Sequence, residues 1–124
     1  MIAVERNNHG AAVLAYIETR EGYRRVYKQH GEPGWLTSAA SKPEIVARMG
    51  VLLSETPERF MSRRLLAECR TFVADERGRA AAAVGSHDDL VMAMAIGQAV
   101  RAETIAWSGR AFGARAKHGA ETRA

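Results

Sequence analysis

Cysteine is nearly absent. Cys69 stands alone, so no internal disulfide can form, and no pair of Cys and His has zinc-finger spacing. A reducing, intracellular setting is expected. No apolar run approaches the ~18 residues that a membrane span needs. Met1-Ile2-Ala3-Val4-Glu5 also lacks the basic-then-apolar layout of a signal peptide. A soluble, cytoplasmic protein with no membrane partner follows as the expectation. There is no internal repeat, and no Gly-x-x-x-x-Gly-Lys-[Ser/Thr] loop that would cradle a nucleotide. What the chain does hold is a basic balance: 18 Lys and Arg against 14 Asp and Glu, a net charge of +4, which suits a polyanionic partner. Its 124 residues have room for one domain with a core, since domains most often run to roughly 100–150 residues.

Ile2-Ala3-Val4 is short, apolar and β-prone and runs straight into Glu5, which predicts a strand placed centrally in a sheet. Asn7-Asn8 offers an N-cap for a helix over about residues 9 to 20 with Val13, Tyr16 and Ile17 on one face, ended by Gly22. Tyr23 to Lys28 reads as an edge strand, and Gly31, Pro33 and Gly34 make residues 30 to 41 a loop. Ser41-Lys42-Pro43-Glu44 is a capping box opening a helix with Ile45, Met49, Leu52 and Leu53 on its apolar face, stopped at Thr56-Pro57. A shorter helix from about Glu58 to Glu68 carries Phe60, Leu65 and Leu66, and its Arg59, Arg63 and Arg64 make a basic side. Residues 71–74 and 79–84 flank Asp75-Glu76-Arg77-Gly78 as a hairpin. The last helix is expected from Ser86, as N-cap, to about Trp107, and its Leu90, Val91, Met94, Ala95 and Ile96 call for burial on more than one side. Residues 108–124 read as a basic, disordered tail holding Arg110, Arg115, Lys117 and Arg123.

Two groups of acids stand out. A carboxylate inside a strand is costly to desolvate unless it is paired or ligates a cation, which singles out Glu5. Asp88 and Asp89 sit in the first turn of an otherwise apolar helix, where the dipole favours negative charge. Two readings are open on these residues alone. In one, Glu5 pairs with an Arg and the two Asp merely decorate a helix end, with His87 a surface neighbour of the cap; in the other, the acids converge on a shared cation.

Taken together, Val4-Glu5-Arg6-Asn7-Asn8-x-Gly10, Gly34-Trp35-x-Thr37 with Lys42, Glu68 followed by Phe72, and Gly85-x-His87-Asp88-Asp89-Leu90-Val91-Met92-Ala93 resemble the C-terminal nuclease domain of the phage terminase large subunit. Order and spacing match as well as content, across residues 4 to about 100. The resemblance implies an α/β, ribonuclease H-like fold with a mixed sheet packed by helices. It also implies metal-dependent cleavage of double-stranded DNA during viral genome packaging, in the cytoplasm of a bacterial host.

Carried over residue by residue, Glu5 resembles the second acid of the family's metal-binding set. Asp88 and Asp89 resemble the acid pair of which one is the third ligand, and His87 the residue beside it that orients water or phosphate. Adjacent helical residues point about 100° apart, so either Asp could face the strand. Two Mg²⁺ or Mn²⁺ ions about 4 Å apart are implied, held by hard oxygen ligands. Trp35, Thr37 and Lys42 resemble the family's loop motif and are candidates for contact with the DNA backbone, with Trp35 alternatively a core plug under the loop. Arg63 and Arg64 are further phosphate candidates beside Arg59.

Against the family, the strand bearing the first catalytic acid has no counterpart before Glu5, nor has the packaging ATPase. The expectation is a partial fold lacking the N-terminal strands: the C-terminal half of the nuclease domain, from a decayed prophage gene, a split gene or an incomplete gene. Such a piece is expected to be marginal or to associate, and to cleave only with a companion chain that supplies the N-terminal half and the ATPase. The portal and small terminase subunit are further partners implied by the resemblance. The rival expectation is a DNA- or assembly-binding remnant that has lost its nuclease chemistry; an unrelated helical protein is a third.

Overall fold

Four backbone hydrogen bonds tie the first six residues into the molecule. Ile2 N–H donates to Arg25 C=O (2.8 Å) and Tyr27 N–H to Ile2 C=O (2.7 Å). Trp35 N–H donates to Val4 C=O and Arg6 N–H to Trp35 C=O, both at 2.8 Å. Both pairings are parallel, Ile2 with Val26 and Glu5 with Trp35. The alternation of a strand therefore turns the amides of Ile2, Val4 and Arg6 toward these partners and those of Ala3 and Glu5 the other way. Among the described residues, the backbone groups of Ala3 and Glu5 make no such bond. The predicted central strand is thus a short, bridged segment paired on one side. The computed structural model describes residues 1–20, 22–74, 80–83 and 85–121.

Helix α1, Gly10–Thr19, follows a turn at Asn8 (φ 51°) and begins against the opening segment. A Cβ at Gly10 would stand 1.7 Å from the Glu5 carbonyl oxygen, so only glycine lets helix and segment meet there. The buried face is Gly10 and Leu14, with Ile17 half-buried, whereas Val13 and Tyr16 face solvent. Asn7 does not cap the helix. Its carboxamide instead accepts from Thr37 N–H (2.9 Å) and donates to Thr37 C=O (2.8 Å), clamping a chain stretch thirty residues away.

Strands β1 (Lys28–Gln29) and β2 (Glu32–Pro33) form an antiparallel hairpin in what the sequence suggested was strand followed by loop. Its two loop residues, His30 (φ 52°) and Gly31 (φ 86°), both have positive φ, the combination of a type I′ turn whose twist suits a two-residue hairpin. Trp35, 5% exposed, stacks on Tyr27 with ring centroids 6.2 Å apart, which makes it a core residue rather than a contact for DNA.

Helix α2, Ser41–Glu55, buries Ile45 and Met49 and half-buries Leu52 and Leu53, as its spacing predicts. The capping hydroxyl lies one turn earlier: Ser38 Oγ accepts from Ser41 N–H (3.0 Å), and Ser41 Oγ accepts from Ser38 N–H (2.9 Å). Pro57 starts a 3₁₀ turn, Pro57–Arg59, so the next helix begins late. It is α3, Arg63–Thr71, capped by Ser62 Oγ, which accepts from Leu65 N–H. Phe60 and Leu65 are buried while Leu66, Arg59, Arg63 and Arg64 are exposed. The expected hairpin pairs β3 (Phe72–Ala74) with β4 (Ala80–Ala82) antiparallel; its turn, residues 75–79, lies outside the described residues.

Helix α4, Asp89–Glu121, starts three residues after the expected Ser86 and carries helical backbone through most of the expected tail. At 33 residues and ~1.5 Å per residue it is about 50 Å long. Val91, Met92, Ala95, Ile96, Ala99 and Val100 are buried against α2 and α3, leaving Asp89, Ala93, Gly97 and Arg101 as an open stripe at four-residue spacing. Ala3 lies beside this stripe, at Ala93 and Gly97. Val4, whose side chain points oppositely, stands near Gly10. Helices therefore flank the opening segment on two faces, with helices and small sheets mixed, an α/β arrangement in the broad sense. Among the described residues no helix is long and apolar enough to cross a membrane.

Candidate functional site

Side chains from four separate stretches line one cavity of about 290 Å³: Glu5 from the opening segment, Thr37 after β2, Lys42 in the first turn of α2, and Asp88 with Asp89 at the head of α4. Met92 and Ile96, both buried, form its apolar floor beside Ala93. The acid near the start of the chain and the acid pair more than eighty residues later therefore face the same space.

Local causes place each group. Strand alternation puts Ala3 and Glu5 on the side of α4, and the Gly10 contact fixes the Glu5 backbone. Thr37 is held by the two Asn7 hydrogen bonds. At the head of α4 the first free amides find a distant partner: Glu68 Oε2, from α3, accepts from Leu90 N–H (2.8 Å) and Val91 N–H (3.3 Å). A carboxylate at a helix N-terminus satisfies orphan donors and suits the dipole. Because Glu68 does the capping, Asp88 and Asp89 are left to face the cavity, and Ser86 is taken up instead in a turn at Gly85 (φ 79°), its N–H donating to Ala83 C=O. The same Glu68 charge, after burial, pushes the Cys69 thiol above its ordinary value, which keeps it protonated.

Three carboxylates against one ammonium leave the cavity with an excess of two formal negative charges. Lys42 Nζ lies 3.6 Å from Asp88 Oδ2, with both side chains about one-third exposed (32% and 30%). Among the described residues, buried Thr37 Oγ1 has no hydrogen-bond partner. Among the described residues Glu5 makes no ion pair, so the Arg partner imagined for it is not found there. No group of three or more His, Cys, Asp or Glu side chains among the described residues is arranged closely enough to hold a metal ion.

The remaining candidates fall elsewhere. His87 is exposed and does not line the cavity, and Arg63 and Arg64 lie on the solvent face of α3, also outside it. Arg110 is exposed on α4, while Arg115, Lys117 and Arg123 lie outside the residues whose side chains are described. Sequence reasoning missed the work of Glu68 and Asn7. Both act across long sequence separations, so no local spacing could reveal their partners; the hairpin at His30-Gly31 was signalled by the glycine of its turn.

Comparison with protein-family models, with curated proteins and with solved structures found no match.

Proposed function

We propose that the cavity bounded by Glu5, Asp88 and Asp89 is the metal-dependent phosphodiester-cleaving site of a ribonuclease H-like, terminase-type nuclease, acting on double-stranded DNA in viral genome packaging. The convergence of those acids on one cavity carries this reading. An all-oxygen donor set suits Mg²⁺ or Mn²⁺, and Glu5 with Asp88 or Asp89 would hold the ion. Bound there, a divalent cation polarises a phosphoryl oxygen and lowers the pKa of water.

The chain's own groups have separate tasks. Lys42, once released from Asp88, can pair with a phosphate oxygen. Met92 and Ile96 keep water from the floor, which strengthens the electrostatics above them. A further acid comes from another polypeptide segment or companion chain, seated beside the small residues Ala93 and Gly97 and the Ala3 backbone, which makes no backbone hydrogen bond among the described residues. The Lys42–Asp88 pair favours a second reading, in which the ammonium stands permanently where the cation would and the chain binds DNA or an assembly subunit without cutting.

Nicking of supercoiled plasmid with Mn²⁺ tests the first reading, using the chain mixed with the N-terminal half of a terminase nuclease domain. Nicking that needs both components and is lost with Glu5→Gln is expected. Nicking by neither or by this chain alone, or nicking indifferent to Glu5→Gln, contradicts it.

A further inference from the structure

About midway along α4, well away from the acid cavity, Trp107 is 68% exposed. Asp89 and Trp107 lie 18 residues apart on one helix, which at ~1.5 Å per residue is about 27 Å. Trp107 borders an open groove of about 620 Å³ between α4 and the β1–β2 hairpin. The groove's cations are Lys28 and Arg110, both exposed, and the type I′ turn lifts the exposed His30 imidazole to its edge. Its carboxylate, Glu103, is engaged by the Tyr27 hydroxyl, which donates to Glu103 Oε2 at 2.5 Å.

We propose that this groove binds single-stranded nucleic acid, with a base stacked on the Trp107 indole and the adjoining phosphates held by Lys28, Arg110 and the His30 ring. An indole left in water is an unsatisfied apolar surface, and every nucleobase has a π-face that can cover it. The flanking cations favour a polyanion over an apolar protein segment, and a flat aromatic platform reads unpaired bases in preference to a closed duplex. The inference goes beyond the cleavage reading and does not depend on it, since no residue of the groove belongs to the acid cavity.

The test is fluorescence anisotropy of a labelled oligothymidylate titrated with the whole chain in EDTA, so that failure of the metal site cannot affect it. Trp107→Ala, at an exposed helical position and with retention of the fold checked by circular dichroism, is expected to weaken binding about 5- to 150-fold, the range of one lost stacking contact. Trp107→Phe should retain most of the affinity. Lys28→Gln and Arg110→Gln should each weaken binding and flatten its salt dependence. Binding indifferent to Trp107→Ala, or a duplex bound as tightly as the single strand, overturns the proposal. So does a Trp107-dependent self-association of the chain with no oligonucleotide bound, which would assign the groove to a protein contact.

Discussion

Lys42 and Asp88, drawn from the first turn of α2 and the head of α4, form an ion pair of 3.6 Å inside the cavity that also receives Glu5. The lysine competes with any divalent cation for the same carboxylate. A partly exposed pair of this kind is worth up to about 1 kcal/mol. Replacing Lys42 with Gln is therefore expected to cost less than that in stability, read by urea unfolding. The same change is expected to tighten Mn²⁺ binding up to about fivefold, the equivalent of 1 kcal/mol, read by calorimetric titration. Weaker Mn²⁺ binding in Lys42→Gln would mean that the lysine supports the cation instead of opposing it.

Glu68 governs where α4 begins. Glu68→Ala removes the acceptor for Leu90 and Val91 N–H and is expected to cost about 1–2 kcal/mol. Glu68→Gln keeps a neutral acceptor and should cost roughly half as much. Denaturant unfolding of the two variants gives the comparison, and equal losses would show that charge at the helix end contributes nothing.

Gly10 admits no side chain. With the Glu5 carbonyl oxygen 1.7 Å from the position of a Cβ, Gly10→Ala forces helix and segment apart at an expected cost of about 3 kcal/mol or more. The displacement moves Glu5 as well, so metal binding should fall with stability. A variant as stable as the parent would contradict the close approach.

Tyr27 makes the fold sensitive to alkali. Burial first, then the hydrogen bond and charge of Glu103, raise the phenol above its ordinary value of 10.0. The folded state thus holds the proton that the unfolded state loses near pH 10. Its stabilising contribution is complete below pH 10 and declines as pH climbs beyond it. Between pH 9 and 11 the urea midpoint of the parent should fall more steeply than that of Tyr27→Phe, which itself loses about 1 kcal/mol at neutral pH. Parallel declines would refute the assignment.

Periodicity and local chemistry made several of these features legible in advance. The Ile45–Met49 face, the stop at Pro57 and the paired strands around residues 75–79 all follow from nearest-neighbour rules, because each depends on residues within a turn or two. The acids stood out as candidates, since a carboxylate beside apolar Ile2-Ala3-Val4 has few uses without a cation or partner, and Glu5, Asp88 and Asp89 do line one cavity. What escaped was long-range. Asn7 turned from a cap into a clamp on Thr37 because a bidentate backbone partner was available thirty residues on. Ser86, the expected cap of α4, yielded that role to Glu68 from another helix, which accepts from Leu90 and Val91 N–H. For Trp35 the reading as a core plug under its loop was available in advance; its partner, the Tyr27 ring, was not. His87 carried the weight of its neighbours in sequence, yet the helix start leaves it exposed.

A titration of the purified chain with Mn²⁺, followed by electron paramagnetic resonance, most directly tests whether Glu5 and the Asp88-Asp89 pair serve one cation. Loss of a charge-assisted contact of roughly 1.5–3 kcal/mol lowers affinity about tenfold or more. Glu5→Ala and the double change Asp88→Ala with Asp89→Ala are each expected to do so. Mn²⁺ bound with undiminished affinity by Glu5→Ala, or not bound by the parent at all, would contradict a shared site.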